Sequence, residues 1–312
     1  MALIRPARAV AGAEITAVAA RDAERARAFA SKHGIGRVHS SYDALLADPD
    51  VDAVYNPLPN SHHCEWTIKA LRAGKHVLCE KPLAANTAQA EQMAAVATET
   101  GKVLMEAFHW RYHPLAARMR AIIDSGELGD VRHIETSFCI PLWKPGDIRY
   151  RLDLAGGATM DLGCYAINIL RFLGGAEPAV VQALARLSSP AVDRYMRADF
   201  VFPNGSSARI TCSMFSSAVL RASAVVRGSA GEMRVFNPIA PHIFHRLRVR
   251  SQQGRRSERV AGKATYVHQL EAFVAAVLSG APFPTGAGDG IANMRVIDAV
   301  YRAAGLPLRG GA

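Results

Sequence analysis

Three side chains in this sequence have the types and spacing for proton transfer at one place: Lys81, Asp161 and Tyr165. Lys81 belongs to the run Leu78-Cys79-Glu80-Lys81-Pro82, which follows a stretch that reads as a helix, Trp66 to Gly74, and then a strand, Lys75 to Cys79. Glu80 and Lys81 therefore fall at a strand's carboxyl end, the edge where open α/β sheets bind ligands. Asp161 precedes Tyr165 by four residues, so a helix would set both on one face. A phenol titrates at about 10, and a lysine cation beside it favours phenolate and draws it toward neutrality. Singly, each has an ordinary explanation. Lys81 could be a solvated strand end, Asp161 a helix cap after Gly156-Gly157, and Tyr165 a core-edge tyrosine with its hydroxyl paired.

The elements that would position these groups divide the chain in two. Over the first hundred residues strands and helices alternate: a buried-strand pattern from Glu14 to Ala20, a helix Ala23 to His33 capped by Asp22 and stopped by Gly34, and a short helix opened by Ser41 and running to Leu46. A strand Ala53 to Asn56, a helix Thr87 to Thr98 and a strand Lys102 to Glu106 continue the series. Such alternation predicts a parallel sheet covered on both faces. The second half reads as a helix Pro114 to Ser125, strands Val131 to Cys139, Val180 to Leu187, Arg197 to Phe202, Ser207 to Met214 and Ala222 to Gly228, and closing helices Val267 to Ser279 and Gly290 to Ala304. We expect a Rossmann-type domain over 1–107 and an α+β domain with a large, mainly antiparallel open sheet over 108–312, whose last helix packs back on the first.

Composition narrows the function classes. No apolar stretch reaches the roughly 18 residues of a membrane span, and residues 1–20 lack the layout of a signal peptide. The five cysteines form no Cys-x-x-Cys pair, which argues against a zinc site or disulfide framework and fits a cytoplasmic protein. The net charge is +10, but much of the excess sits in His245 to Arg250, where basic and apolar residues alternate as in a half-exposed strand, and in the turn and strand that follow. No nucleic-acid-binding signature accompanies it, so we expect neither nucleic acid nor membrane as a partner.

Three segments carry a family resemblance: Val54-Tyr55-Asn56-Pro57-Leu58-Pro59-Asn60, then Ala73 to Ala84 around Glu80-Lys81-Pro82, then Gly156 to Tyr165. Together they resemble the glucose-fructose oxidoreductase, inositol dehydrogenase and MocA family of nicotinamide-dependent oxidoreductases, over about Ala2 to Leu306, with the dimeric dihydrodiol dehydrogenases and NADP-dependent xylose dehydrogenases as the nearest type. The resemblance implies hydride transfer between NADP or NAD and a sugar, polyol or cyclic diol. Tyr165 would be the acid/base, Lys81 its tuner and a ligand of the substrate oxygen, and Asp161 an orienter. It implies cofactor contacts from Leu58, Pro59, Asn60, His63, Glu80, Lys81 and Arg111, and a homodimer or homotetramer through the second sheet; Trp143, Arg149 and Arg151 are candidate substrate contacts that could equally be ordinary loop residues. His62 and His63 could equally be surface residues, and Trp110 to Tyr112 a domain junction. Asp22 being explained as a cap, Arg21 is left to meet the extra phosphate of NADP, so NADP is the preferred cofactor; a solvent-facing arginine is the alternative.

One expected part does not occur. A dinucleotide-binding fold opens with a strand and Gly-x-Gly-x-x-Gly, and no such motif is present; Gly286 to Gly290 has other spacing and reads as a loop. Ala2 to Val10 reads as the later part of the first helix, so we expect a natural protein longer by roughly 20 residues, and weakened dinucleotide binding by the chain as given. The alternative function is a catalytically impaired or cofactor-sensing relative.

Overall fold

The computed structural model describes residues 3–142, 144, 146–215 and 220–311. In chain order its helices and strands are α1 (Ile4–Ala7), β1 (Ala17–Ala19), α2 (Ala23–His33), β2 (Arg37–His39), α3 (Tyr42–Leu46), β3 (Ala53–Asn56), α4 (His63–Arg72), β4 (His76–Cys79), α5 (Thr87–Thr100) and β5 (Leu104–Glu106). There follow α6 (Pro114–Asp124), β6 (Val131–Cys139), α7 (Cys164–Gly174), β7 (Ala179–Ser189), β8 (Val192–Val201), β9 (Ser207–Ser213), β10 (Arg221–Gly228), β11 (Gly231–Phe236), β12 (Arg246–Ser251), β13 (Gly254–Glu258), α8 (Thr265–Ser279) and α9 (Ala287–Ala303).

Local chemistry explains the helix boundaries. Asp22 accepts from the Arg25 N–H, Ser41 from Ala44 and Asn86 from Gln89, each at 3.0 Å, satisfying donors that a first turn leaves free. Gly34 takes the left-handed conformation that ends α2, at φ 70°. Two helices begin earlier than the sequence suggested, and neither start carries a side-chain cap. α4 begins at His63 rather than Trp66 because a 3₁₀ turn over Asn60–His62 leads straight into it. α9 begins at Ala287 with Gly286 as its cap, so the glycine cluster expected as a loop is largely its first turn.

All strands of the first part run parallel, but in two separate sheets: β1 with β2, and β3-β4-β5. Among the described residues β1 and β3 each keep an edge without a strand partner. β1 is only three residues long and half-buried, not the seven-residue buried strand expected. The second part is one eight-stranded sheet, β13-β12-β11-β10-β6-β9-β8-β7, antiparallel except for the parallel β6–β9 pair. β2 and β11 had no strong alternation to announce them; both are short, and β11 contains Gly231 and two charged residues.

Helix α7 lies on one face of the large sheet, where Thr136 Oγ1 on β6 donates to the Ala166 carbonyl at 2.8 Å. The C-terminal segment then ties the parts together. Thr285 O accepts from the Glu106 N–H at 2.8 Å, extending the β5 edge, and Asp298 on α9 accepts from Thr87 N and Oγ1 at 3.0 and 2.6 Å at the start of α5.

A buried ion pair and a buried carboxyl brace this framework. Arg309, past the last helix, is fully buried with Asp193 of β8; its guanidinium reaches the Asp193 carboxylate at 3.0 Å and the Gly156 carbonyl at 2.8 Å. Asp193 also accepts from Tyr301 Oη at 3.0 Å and from Thr159 N and Oγ1 at 2.8 and 2.7 Å. Replacing Arg309 with Met would leave that carboxylate uncompensated, and we expect a loss of about 3–5 kcal/mol in equilibrium unfolding. Glu106, fully buried at the end of β5, accepts from the Leu83 N–H at 2.7 Å; burial first, then the Asp289 charge, push its carboxyl from the ordinary 4.5 up to about 8. A raised folded-state value stabilises below the unfolded one and is lost as pH rises through the folded one. The stability difference between the native chain and Glu106→Gln should therefore shrink from pH 5 to pH 8 in denaturant titrations; an unchanged difference would contradict this.

Candidate functional site

The carboxyl end of β4 delivers Glu80 and Lys81 into the junction between the parallel strands and the large sheet. Glu80 is held in place from both sides: Tyr55 Oη donates to Oε1 at 2.5 Å, and the Lys81 N–H to Oε2 at 3.2 Å. Lys81 then extends across the junction. Its Nζ lies 3.0 Å from both Asp161 Oδ1 and the Asp161 carbonyl, and 5.2 Å from the centre of the Tyr165 ring. Burial opposes the ammonium charge, but the Asp161 and Glu80 carboxylates outweigh it and hold Lys81 above its ordinary value. Asp161 is the mirror case. Burial would raise its carboxyl, yet Lys81 and Arg149, whose Nε donates to Oδ2 at 2.8 Å, keep it below the usual range.

Asp161 and Tyr165 reach this place by an irregular route. Residues Thr159–Gly163 form a π-helical turn and α7 begins only at Cys164, so the two do not share the regular α-helical face expected of a four-residue spacing. The turn is fixed from outside by the Thr159–Asp193 hydrogen bonds and by Arg309 on Gly156 O. Gly157, at φ 134°, must be glycine: a Cβ there would meet Asp193 Oδ1 at 2.2 Å.

The expected coupling of Lys81 to the phenol needs correction. Lys81 faces the ring of Tyr165, not its hydroxyl, and burial drives the phenol well above 10 instead of toward neutrality. The hydroxyl pairs with His109 Nε2 at 3.2 Å, and the ring packs edge-on against Phe108 and Phe138. His109 was not singled out in the sequence. It opens the 3₁₀ turn His109–Tyr112 after β5, the strand beside β4, and a search along that same carboxyl edge would have found it.

The proposed cofactor contacts separate into those that fit and those that do not. Arg21 follows the carboxyl end of β1, is exposed, and makes no ion pair among the described residues. Leu58, Pro59 and Asn60 form the half-buried loop beyond β3, pinned by Asn60 Nδ2 on the Ala155 carbonyl at 3.1 Å. These groups and Lys81 lie at strand ends where a nicotinamide dinucleotide binds such sheets, so the donor set fits the ends of that ligand; the glycine motif for its pyrophosphate is not in the sequence. His63 does not fit. It is fully buried, with Nδ1 2.9 Å from Pro82 O and Nε2 2.8 Å from Leu58 O, and clamps two loops together. Arg111 is set apart from Lys81 and Tyr165. Its guanidinium stacks on Phe172, 3.9 Å from the ring centre, two turns along α7 from Tyr165, and lines a cavity of about 310 Å³ with Asn168, Arg171 and Asp289. Of the substrate contacts expected, Arg149 is engaged by Asp161 and Asp147, Arg151 pairs with Asp153, and Trp143 lies outside the described residues.

Known proteins share this sequence pattern and fold. Residues 2–108 match the oxidoreductase family with an NAD-binding Rossmann fold, and residues 116–234 the GFO/IDH/MocA C-terminal domain. A D-xylose 1-dehydrogenase (NADP⁺) of Haloferax volcanii is 35% identical over 295 residues, 93% of this chain and 90% of the relative. A trans-1,2-dihydrobenzene-1,2-diol dehydrogenase of Bos taurus is 34% identical over 228 residues, 72% of this chain and 67% of its own. Among solved structures, a 3-ketoreductase from Actinomadura kijaniata in complex with NADP and TDP-benzene superposes with a TM-score of 0.90 at 34% identity, covering 96% of this chain and 93% of that one; variants of it with a tyrosine or a lysine replaced have also been solved. With both halves of the fold matched, the chain belongs to the GFO/IDH/MocA family of oxidoreductases with an NAD-binding Rossmann fold.

Proposed function

We propose that this oxidoreductase moves a hydride between a nicotinamide cofactor, NADP in preference to NAD, and a CH–OH carbon of a sugar, polyol or cyclic diol. The observation that carries the proposal is the meeting of Lys81, Asp161 and Tyr165 at the carboxyl end of β4, with Nζ 3.0 Å from the carboxylate and 5.2 Å from the phenol ring. The lysine and tyrosine replaced in the ketoreductase variants are separated by the same number of residues as Lys81 and Tyr165, which supports treating these two as the reactive pair. When bound, the cofactor supplies or accepts the hydride. Tyr165 gives a proton to the substrate oxygen in reduction and takes it back in oxidation, Lys81 polarises that oxygen, and Asp161 holds Lys81 in place.

Arg21 would pair with the 2′-phosphate of NADP, while Leu58, Pro59, Asn60, Glu80 and Lys81 would line the nicotinamide side. The change of sheet type supports a division into domains near residue 107. Among the described residues no helix is long and apolar enough to cross a membrane, and all five cysteines are buried free thiols, which supports a reducing, cytoplasmic setting. Val181, Leu184 and Leu187 on β7 are 63%, 58% and 43% exposed, apolar area that a homodimer or homotetramer through the large sheet would cover.

A panel of aldoses, polyols and dihydrodiols assayed with NADP and NAD tests the class, and no turnover on any member would defeat it. On the best substrate, Tyr165→Phe and Lys81→Ala should each lower kcat by about 10²–10⁴-fold. Arg21→Ala should raise KM for NADP by about tenfold and leave KM for NAD unchanged, as expected when one charge-assisted phosphate contact is removed.

A further inference from the structure

His109 is buried, 4% exposed, and its two ring nitrogens have different surroundings. Nε2 lies 3.2 Å from Tyr165 Oη, and Nδ1 finds no hydrogen-bond partner among the described residues. Tyr266 of α8 packs against the ring with centroids 4.1 Å apart. The charges that act on it are those of Lys81 and His242, both positive when protonated, and with burial as the leading cause they depress its basicity to about 3. The imidazole is therefore neutral near pH 7 and carries one proton for two nitrogens.

The position of that proton decides what Tyr165 can do. A proton on Nδ1 would strand a buried N–H donor and make the Tyr165 O–H point into the imidazole. A proton on Nε2 leaves a bare lone pair at Nδ1 and turns Tyr165 Oη into the acceptor, so that the phenolic O–H, with no other partner among the described residues, is open to a substrate oxygen.

We infer that His109 is a positioning residue for Tyr165: it donates Nε2–H to the phenolic oxygen, aims the phenolic proton at the substrate oxygen, and stabilises the phenolate left behind. This rests on the reading of Tyr165 as the acid/base. In the reductive direction the carbonyl carbon accepts the hydride from the reduced nicotinamide while the Tyr165 O–H bond breaks and an O–H bond forms on the substrate. The electron pair stays on Oη, hydrogen-bonded by His109, until a solvent proton restores the phenol. The contact supplies the stabilisation that Lys81, turned to the ring face and engaged by Asp161, does not give the hydroxyl.

The tautomer can be read without turnover. In ¹⁵N-histidine spectra of the full chain, with the His109 signal identified by its loss in His109→Gln, we expect Nε2 protonated and Nδ1 bare; the opposite tautomer overturns the inference. Kinetically, His109→Leu should lower kcat about tenfold, roughly one charge-stabilising hydrogen bond, with KM for NADP unchanged, and His109→Gln, which keeps an N–H near the Nε2 position, should recover most of it. Wild-type turnover in His109→Leu beside an inactive Tyr165→Phe would sink the role of His109 alone. Full turnover in Tyr165→Phe would remove the acid/base reading itself and this inference with it.

Discussion

An ammonium and a carboxylate withdrawn from water need each other, and here they come from opposite sides of a junction. Lys81 is delivered by a parallel strand and Asp161 by a turn on the large antiparallel sheet; their side chains are 14% and 18% exposed. Losing either partner leaves a buried, unmatched charge. The pair therefore fixes the distance between the two sheets where Tyr165 sits. Glu80, Tyr55 and Arg149 extend it into a chain of alternating charge and hydrogen-bond donors.

That chain has a division of labour. The charged members saturate one another: Arg149 and Lys81 occupy Asp161, and Tyr55 and the Lys81 N–H occupy Glu80. The neutral members, Tyr165 and His109, remain apart from the ion pairs in an aromatic pocket made by Phe108, Phe138 and Tyr266. Strong fields thus surround a group whose own proton is not tied up in an ion pair, a pattern suited to proton transfer.

The fold was legible in the sequence wherever periodicity and caps coincide. β3, β6 and α2 begin and end as read: Asp22 and Gly34 bound the helix, and Val54-Tyr55 and the Val131, Ile134, Thr136 and Phe138 positions carry the strands. β2 and β11, short and charged, offered no such pattern. At the site, Lys81, Asp161 and Tyr165 were legible as residue types at a strand end and in a glycine-led turn. What each one touches was not. Which side of a phenol a lysine faces depends on a π-helical turn and on Asp193, neither of which leaves a periodic trace. His63 shows the same limit: its identity invited a ligand role, and only its burial between two carbonyls reveals a clamp.

Arg309 follows every strand and helix in chain order, yet it closes the turn that carries Asp161. The shape of that turn therefore depends on a side chain 153 residues beyond Gly156 and on the Asp193 carboxylate that pairs with it, so a change far from Lys81 and Tyr165 in the chain reaches the backbone between them.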